Sequence, residues 1–158
     1  MATSNKNLSD HSSKNIIDVS GKTFAIIVSE WNEEVTESLY SGAYQTLLDN
    51  GAHKENIIRK NVPGSFELTL AAQWMASEAD IDAVICLGCV IQGETKHFDF
   101  ICDAVAHGIT NVGLKYNKPV IFGVLTPNNQ QQALDRAGGK HGNKGDEAAI
   151  TAIKMLGF

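Results

Sequence analysis

The sequence predicts a three-layer α/β/α sandwich built on a four-stranded parallel sheet, with an additional N-terminal strand. Three observations carry that expectation. Four short apolar, β-branched runs alternate with longer segments of helical periodicity. The runs are nearly continuous, as in Ala83-Val84-Ile85-Cys86-Leu87, which suits strands covered on both faces. The resulting order β-α-β-α-β-α-β-α favours parallel strands joined by right-handed crossovers.

Taken in order, residues 16–19 form a short apolar strand that pairs with this sheet or with a neighbouring subunit. Residues 24–28 form the first strand of the main series. A helix over 35–50 follows, with Gly51 as its C-cap. The second strand spans 56–62 and the second helix 66–79. The third strand spans 83–91. The third helix, 98–116, carries Phe98, Ile101, Cys102, Val105, Ile109 and Val112 on one stripe. Asn117-Lys118-Pro119 ends it, because the residue before proline avoids the helical region. The last strand spans 119–125. A fourth helical stretch begins near Asn129, breaks at Gly138-Gly139 and resumes over 146–156.

At 158 residues the length suits one domain, expected over 15–158, with 1–14 as a mobile polar tail and no signal peptide. Thirteen basic and 18 acidic residues give a net charge of −5, which argues against broad nucleic-acid or anionic-membrane binding. It leaves room for a local basic pocket. No apolar run approaches the roughly 18 residues that cross a bilayer. Three cysteines, an odd and sparse count, suggest a reducing compartment and a cytoplasmic location.

Open parallel sheets bind ligands beyond the carboxyl ends of their strands. Three segments fall on that edge: Ser29-Glu30-Trp31-Asn32, Pro63-Gly64-Ser65-Phe66-Glu67 and Gln92-Gly93-Glu94-Thr95-Lys96-His97. Trp31 opens a helix outside its apolar stripe, so its indole either stacks on a flat heterocycle or packs under a loop. Glu67 either binds ligand hydroxyls or complements the helix dipole. Gly93, Glu94 and Thr95 precede a helix, where free amides and a hydroxyl suit an anion and where Thr95 also suits an ordinary N-cap. His97 beside them is either a proton shuttle or a structural histidine. Arg136, Lys140 and Lys144, in a segment with four glycines, form either a phosphate clamp or a flexible helix break. The segment is no Walker loop.

Other motifs fail on inspection. Cys86 and Cys89 form a C-x-x-C, but an odd separation in a strand turns the two side chains to opposite faces. Redox pairs of that type open a helix. A receiver domain needs an aspartate where this third strand ends in Cys-Val-Ile-Gln, and no dinucleotide loop follows strand one.

Four stretches together resemble the lumazine synthases. They run from Val62 to Glu67, Leu87 to His97, Phe122 to Thr126 and Arg136 to Gly145, in order and at fitting separations. The similarity extends from about Ile16 to the C-terminus. It implies a flavodoxin-like sheet and a cofactor-free condensation of 5-amino-6-(D-ribitylamino)uracil with 3,4-dihydroxy-2-butanone 4-phosphate. The products would be 6,7-dimethyl-8-ribityllumazine, phosphate and water, in riboflavin biosynthesis.

The resemblance also implies roles. Trp31 stacks on the pyrimidine, and Ser65, Phe66 and Glu67 hold the ribityl-bearing substrate. Cys89, Val90 and Ile91 line its ring. Glu94 and Thr95 meet the butanone phosphate, and His97 transfers protons. Phe122 and Arg136 come from a neighbouring subunit, to close the ring pocket and to pair with the phosphate. Lys144 reaches the pyrimidine carbonyl. No metal is implied. The assembly implied is a pentamer, with a preference for a shell of twelve pentamers that takes riboflavin synthase as cargo. Gln92 departs from the basic residue common at that position. Rival readings are a flavin- or lumazine-binding carrier, a riboflavin synthase derived from the same scaffold, and a structural shell.

Overall fold

A computed structural model describes residues 17–158, so the expected tail at 1–14 and the first residue of the expected N-terminal strand lie outside it. Strand β1 (Phe24–Ser29) leads to helix α1 (Glu33–Asp49), then β2 (Ile57–Val62). A single 3-10 turn (Ser65–Glu67) runs into α2 (Leu68–Ser77). Next come β3 (Ala83–Cys89), α3 (His97–Tyr116), β4 (Val120–Leu125) and α4 (Gln130–Leu134). A hairpin of β5 (Ala137–Gly139) and β6 (Gly142–Asn143) precedes α5 (Lys144–Leu156).

The four long strands make one parallel sheet in the order β2-β1-β3-β4. Strand alternation divides the core in two. Phe24, Ile26 and Val28 of β1, with Ile85 and Leu87 of β3, pack under α1 and α5. Ala25 and Ile27, with Val84 and Cys86, pack under α2 and α3. Both β1 and β3 are buried along their whole length, as their unbroken apolar runs anticipate. The outer layers are close. The Gly42 methylene faces Asn143 and Asp146, and Gly145 lies directly on the backbone carbonyl of Leu39.

Helix ends follow local chemistry. Gly51 adopts φ 96° just past α1, a left-handed conformation that costs glycine nothing. Asn117 closes α3 at φ 51°, and asparagine is the side chain that best tolerates that region after glycine. Asn129 caps α4 by accepting from the Gln132 amide at 2.9 Å.

Three expectations need correction. Within one chain residues 17–19 form no strand, since they join neither open edge of the sheet, β2 or β4; the other reading, pairing with a neighbouring subunit, involves a second copy. The break at Gly138-Gly139 is an ordered antiparallel hairpin that turns at Lys140-His141, with Gly138 at φ 103° at an irregularity within β5 and Gly142 at φ 75° opening β6. Lys96, not Thr95, is the N-cap of α3, and the Thr95 hydroxyl accepts from the first helical amide, His97, at a long 3.4 Å. Among the described residues, no helix is long and apolar enough to cross a membrane.

Candidate active site

The strand order reverses between β1 and β3, so the crevice beyond their carboxyl ends is the natural ligand position of this sheet. Backbone bonds stitch the strand exits together there. The Glu30 and Trp31 amides donate to the carbonyls of Val62 and Pro63, at 2.8 and 3.1 Å. The Val90 and Gln92 amides donate to Leu125 and Pro127, at 2.8 and 2.9 Å. Asn32 joins the two pairs: its side-chain amide donates to the Cys89 carbonyl at 2.9 Å. The backbone of Asn32 is left-handed, at φ 62°, which aims the short amide across the crevice while its carbonyl starts α1. The sequence marked this loop, but Asn32 was passed over. Its neighbours Glu33 and Glu34 signal a helix start, whereas the tether to β3 depends on a strand 57 residues away.

This stitching gathers ten of the expected residues along one rim. Trp31 is 73% exposed, with its indole free of the core. Ser65 is buried at the start of the 3-10 turn, and Phe66 beside it is 55% exposed. The Glu67 carboxylate folds back over Gly64, where a methyl would lie 3.1 Å from Oε2. Cys89 is the last, buried residue of β3, and Val90 and Ile91 follow it half-buried. Glu94, Thr95 and His97 are exposed at the start of α3, and the His97 ring makes no hydrogen bond among the described residues.

Phe122 and Arg136 stand apart from that rim. Phe122 projects from β4, one of the two edges of the sheet, into a groove of about 980 Å³ between α3 and α5. Lys144 lines the same groove, with its ammonium held by Glu147. Arg136 is half-buried at the entrance to the hairpin, where its guanidinium donates to the Gln132 carbonyl at 3.0 Å. Of the three cations in that segment, Lys140 pairs with Asp135 at 3.0 Å and Lys144 with Glu147. Among the described residues Arg136 alone of the three has no carboxylate partner. Hydrogen bonds from Gln131, and then from Lys140, hold the Asp135 carboxyl below its ordinary pKa.

Comparison with known proteins shows the family. The family model described as 6,7-dimethyl-8-ribityllumazine synthase matches residues 21–158. The chain belongs to the 6,7-dimethyl-8-ribityllumazine synthase family. It is 67% identical to the protein of that name from Cytophaga hutchinsonii, over 99% of this chain and 98% of the relative. It is 52% identical to the one from Parabacteroides distasonis, over 100% of this chain and 99% of the relative. The counterpart from Flavobacterium johnsoniae is 56% identical over 98% of this chain and 82% of its own length.

Within this lumazine synthase chain the C-x-x-C pair is split as its spacing requires. Cys86 lies in the core under α2 and α3, and Cys89 in the core under α1 and α5. Burial pushes both thiols up to about 12. Burial, helped by Asp99, also raises Cys102, which is only half-buried. Thiolate is the reactive form, so at pH 8 a thiol of pKa about 12 is ionised only to about one part in 10⁴. In the native protein iodoacetamide is therefore expected to modify Cys102 first and to leave Cys86 and Cys89 intact. Mass spectrometry against a denatured control checks this, and fast native labelling of Cys89 would contradict it.

Proposed function

We propose that this chain condenses 5-amino-6-(D-ribitylamino)uracil with 3,4-dihydroxy-2-butanone 4-phosphate, giving 6,7-dimethyl-8-ribityllumazine, phosphate and water. The observation that carries the reading is its full-length kinship with synthases of that name. The chemistry is an amine addition to a carbonyl and loss of water to an imine. Phosphate elimination follows, and then ring closure by the second amine with loss of a further water. Each step moves protons and none needs an electron acceptor.

The rim suits that work. Trp31 and Phe66 offer exposed aromatic faces to a flat pyrimidine, and Glu67 offers a carboxylate to the ribityl hydroxyls. Cys89, Val90 and Ile91 line the ring, partly through backbone. Glu94 and Thr95 receive the phosphate end at the start of a 20-residue helix, whose free amides favour an anion. His97, adjacent to them and unpaired, passes protons between the reacting amine and the leaving phosphate. Gln92 supplies no charge there, so the cation comes from elsewhere.

Arg136 and Phe122 reach the pocket from an adjoining copy. The unpaired guanidinium of Arg136 and the apolar groove along β4 support this reading. Leu114, Phe122 and Met155 are exposed in that groove, an apolar area of the kind that marks an interface. A head-to-tail contact that closes on itself gives a ring. We propose a cytoplasmic pentamer, assembled twelvefold into a shell with riboflavin synthase as cargo. Sedimentation velocity distinguishes pentamer from shell.

Mixing the purified enzyme with both substrates and following the lumazine absorbance tests the reaction itself. Bound lumazine without turnover would make the protein a carrier. For the shared pocket, Arg136→Lys is the sharper probe, because lysine keeps the charge and loses the bidentate fork. KM for the butanone phosphate is expected to rise about tenfold, the effect of one charge-assisted hydrogen bond, with the pyrimidine KM little changed. Equal losses for both substrates would count against Arg136 at the phosphate.

A further inference from the structure

Two buried hydroxyls meet at the rim: that of Ser29, which no step above uses, and that of Ser65, in the segment set against the ribityl-bearing substrate. Ser29, the last residue of β1, is fully buried, and Ser65, the first residue of the 3-10 turn, is 5% exposed. Neither Oγ has a hydrogen-bond partner among the described residues. They are neighbours. Alternation sends Ser29 to the same face as Ala25 and Ile27, and sends Gly88 of β3 to the face of Val84 and Cys86. Val28 pairs with Leu87, so Ser29 and Gly88 stand side by side on adjacent strands. A methyl at Gly88 would lie 2.6 Å from the Ser65 Oγ and 3.4 Å from the Ser29 Oγ. Both hydroxyls therefore flank one carbon, and only the missing side chain of Gly88 lets the turn settle so close to the sheet.

A hydroxyl buried without a partner is unfavourable, and two of them side by side are satisfied together by one link. Serine both donates and accepts, and its proton rotates freely, so either residue can supply the donor. We infer that Ser29 is a positioning residue: the two hydroxyls, unjoined in this rotamer pair, close one buried hydrogen bond over Gly88 when either side chain turns toward the other, and that link sets the height of the turn presenting Phe66 and Glu67. The inference rests on the reading that this turn meets the ribityl-bearing substrate. The consequence is selective. The phosphate end hangs from the exit of β3 and from Arg136 of an adjoining copy, so the link governs the pyrimidine partner and not the butanone phosphate. Ser29 itself touches neither substrate.

Ser29→Ala, Ser65→Ala and the double variant, each purified as the assembled enzyme, test this with thermal melts and steady-state rates. Ser29→Ala is expected to lower the melting temperature, since it strands the Ser65 hydroxyl. It should raise the pyrimidine KM about fivefold, the effect of one neutral hydrogen bond, with kcat and the butanone phosphate KM unchanged. The double variant should melt no lower than either single variant, because all three lose the same link. A higher melting temperature for Ser29→Ala would mean the hydroxyl had no partner, and would overturn the inference. So would losses that add up in the double variant, or both KM values rising together. The melts need no substrate, so they test the link even if the wild-type protein proves to make no lumazine.

Discussion

Replacing His97 by alanine is expected to lower kcat about 10²-fold and still leave measurable turnover. A positioned proton shuttle contributes about 10²–10⁴-fold. Holding two reactants in line supplies on the order of 7–11 kcal/mol, a larger share of the barrier. The ring of His97 is exposed at the first turn of α3 and makes no hydrogen bond among the described residues, so its loss removes a proton carrier without disturbing packing. KM values for both substrates should change little. Complete loss of turnover with binding intact would reverse that ranking and make acid–base catalysis dominant. The same variant probes the shared pocket. Co-refolded with Arg136→Ala, it should regain about a quarter of wild-type activity, because a heterologous ring places both native residues at about one interface in four. No recovery in mixtures shown to co-assemble would place the two residues in one chain's site.

The second large effect is structural. Gly145→Ala is expected to lower stability by about 3 kcal/mol or more, the upper range for overpacking. That corresponds to a fall in melting temperature on the order of 10 °C for a chain of this size. The added methyl would sit 1.9 Å from the Leu39 carbonyl oxygen and 2.7 Å from its carbon, and neither backbone atom can turn away. Helices α1 and α5 would have to separate, opening the core that contains Leu39, Ile150 and Ile153. Gly21→Ala is the matched control, because nothing lies within 4 Å of its added methyl and its backbone is not left-handed. Equal melting temperatures for the two variants would show that the helix contact yields easily.

What could be read from the chain beforehand followed from local pattern. The apolar run of β3, the stripe along α3 and the Asn117-Lys118-Pro119 stop each act over a few residues, and each element formed within two residues of its expected place. The opposite facing of Cys86 and Cys89 needed only the pleat. Rim residues were findable because every parallel strand delivers its exit to the same edge. The misses depend on distant partners. Residues 17–19 read as a strand, but the apolar pattern does not say which edge would pair with them, and within one chain they join neither β2 nor β4. The hairpin at Ala137–Asn143 reads as a break in the sequence, because its glycines suit both an ordered hairpin and loose chain until the pairing of β5 with β6 distinguishes them. Asn32 and Ser29 share the reason: one amide bond to Cys89 and one contact with Ser65 across Gly88 join residues dozens of positions apart.

The stitched strand exits bear on when entropy is lost. Five amide bonds, from Glu30, Trp31, Asn32, Val90 and Gln92, order these connections as the chain folds. Their freedom is surrendered before any metabolite arrives, and capture need not spend binding energy on immobilising main chain. A receptor prepared in this way discriminates by shape at first encounter, and its selectivity should be least sensitive to solvent changes that loosen flexible loops elsewhere.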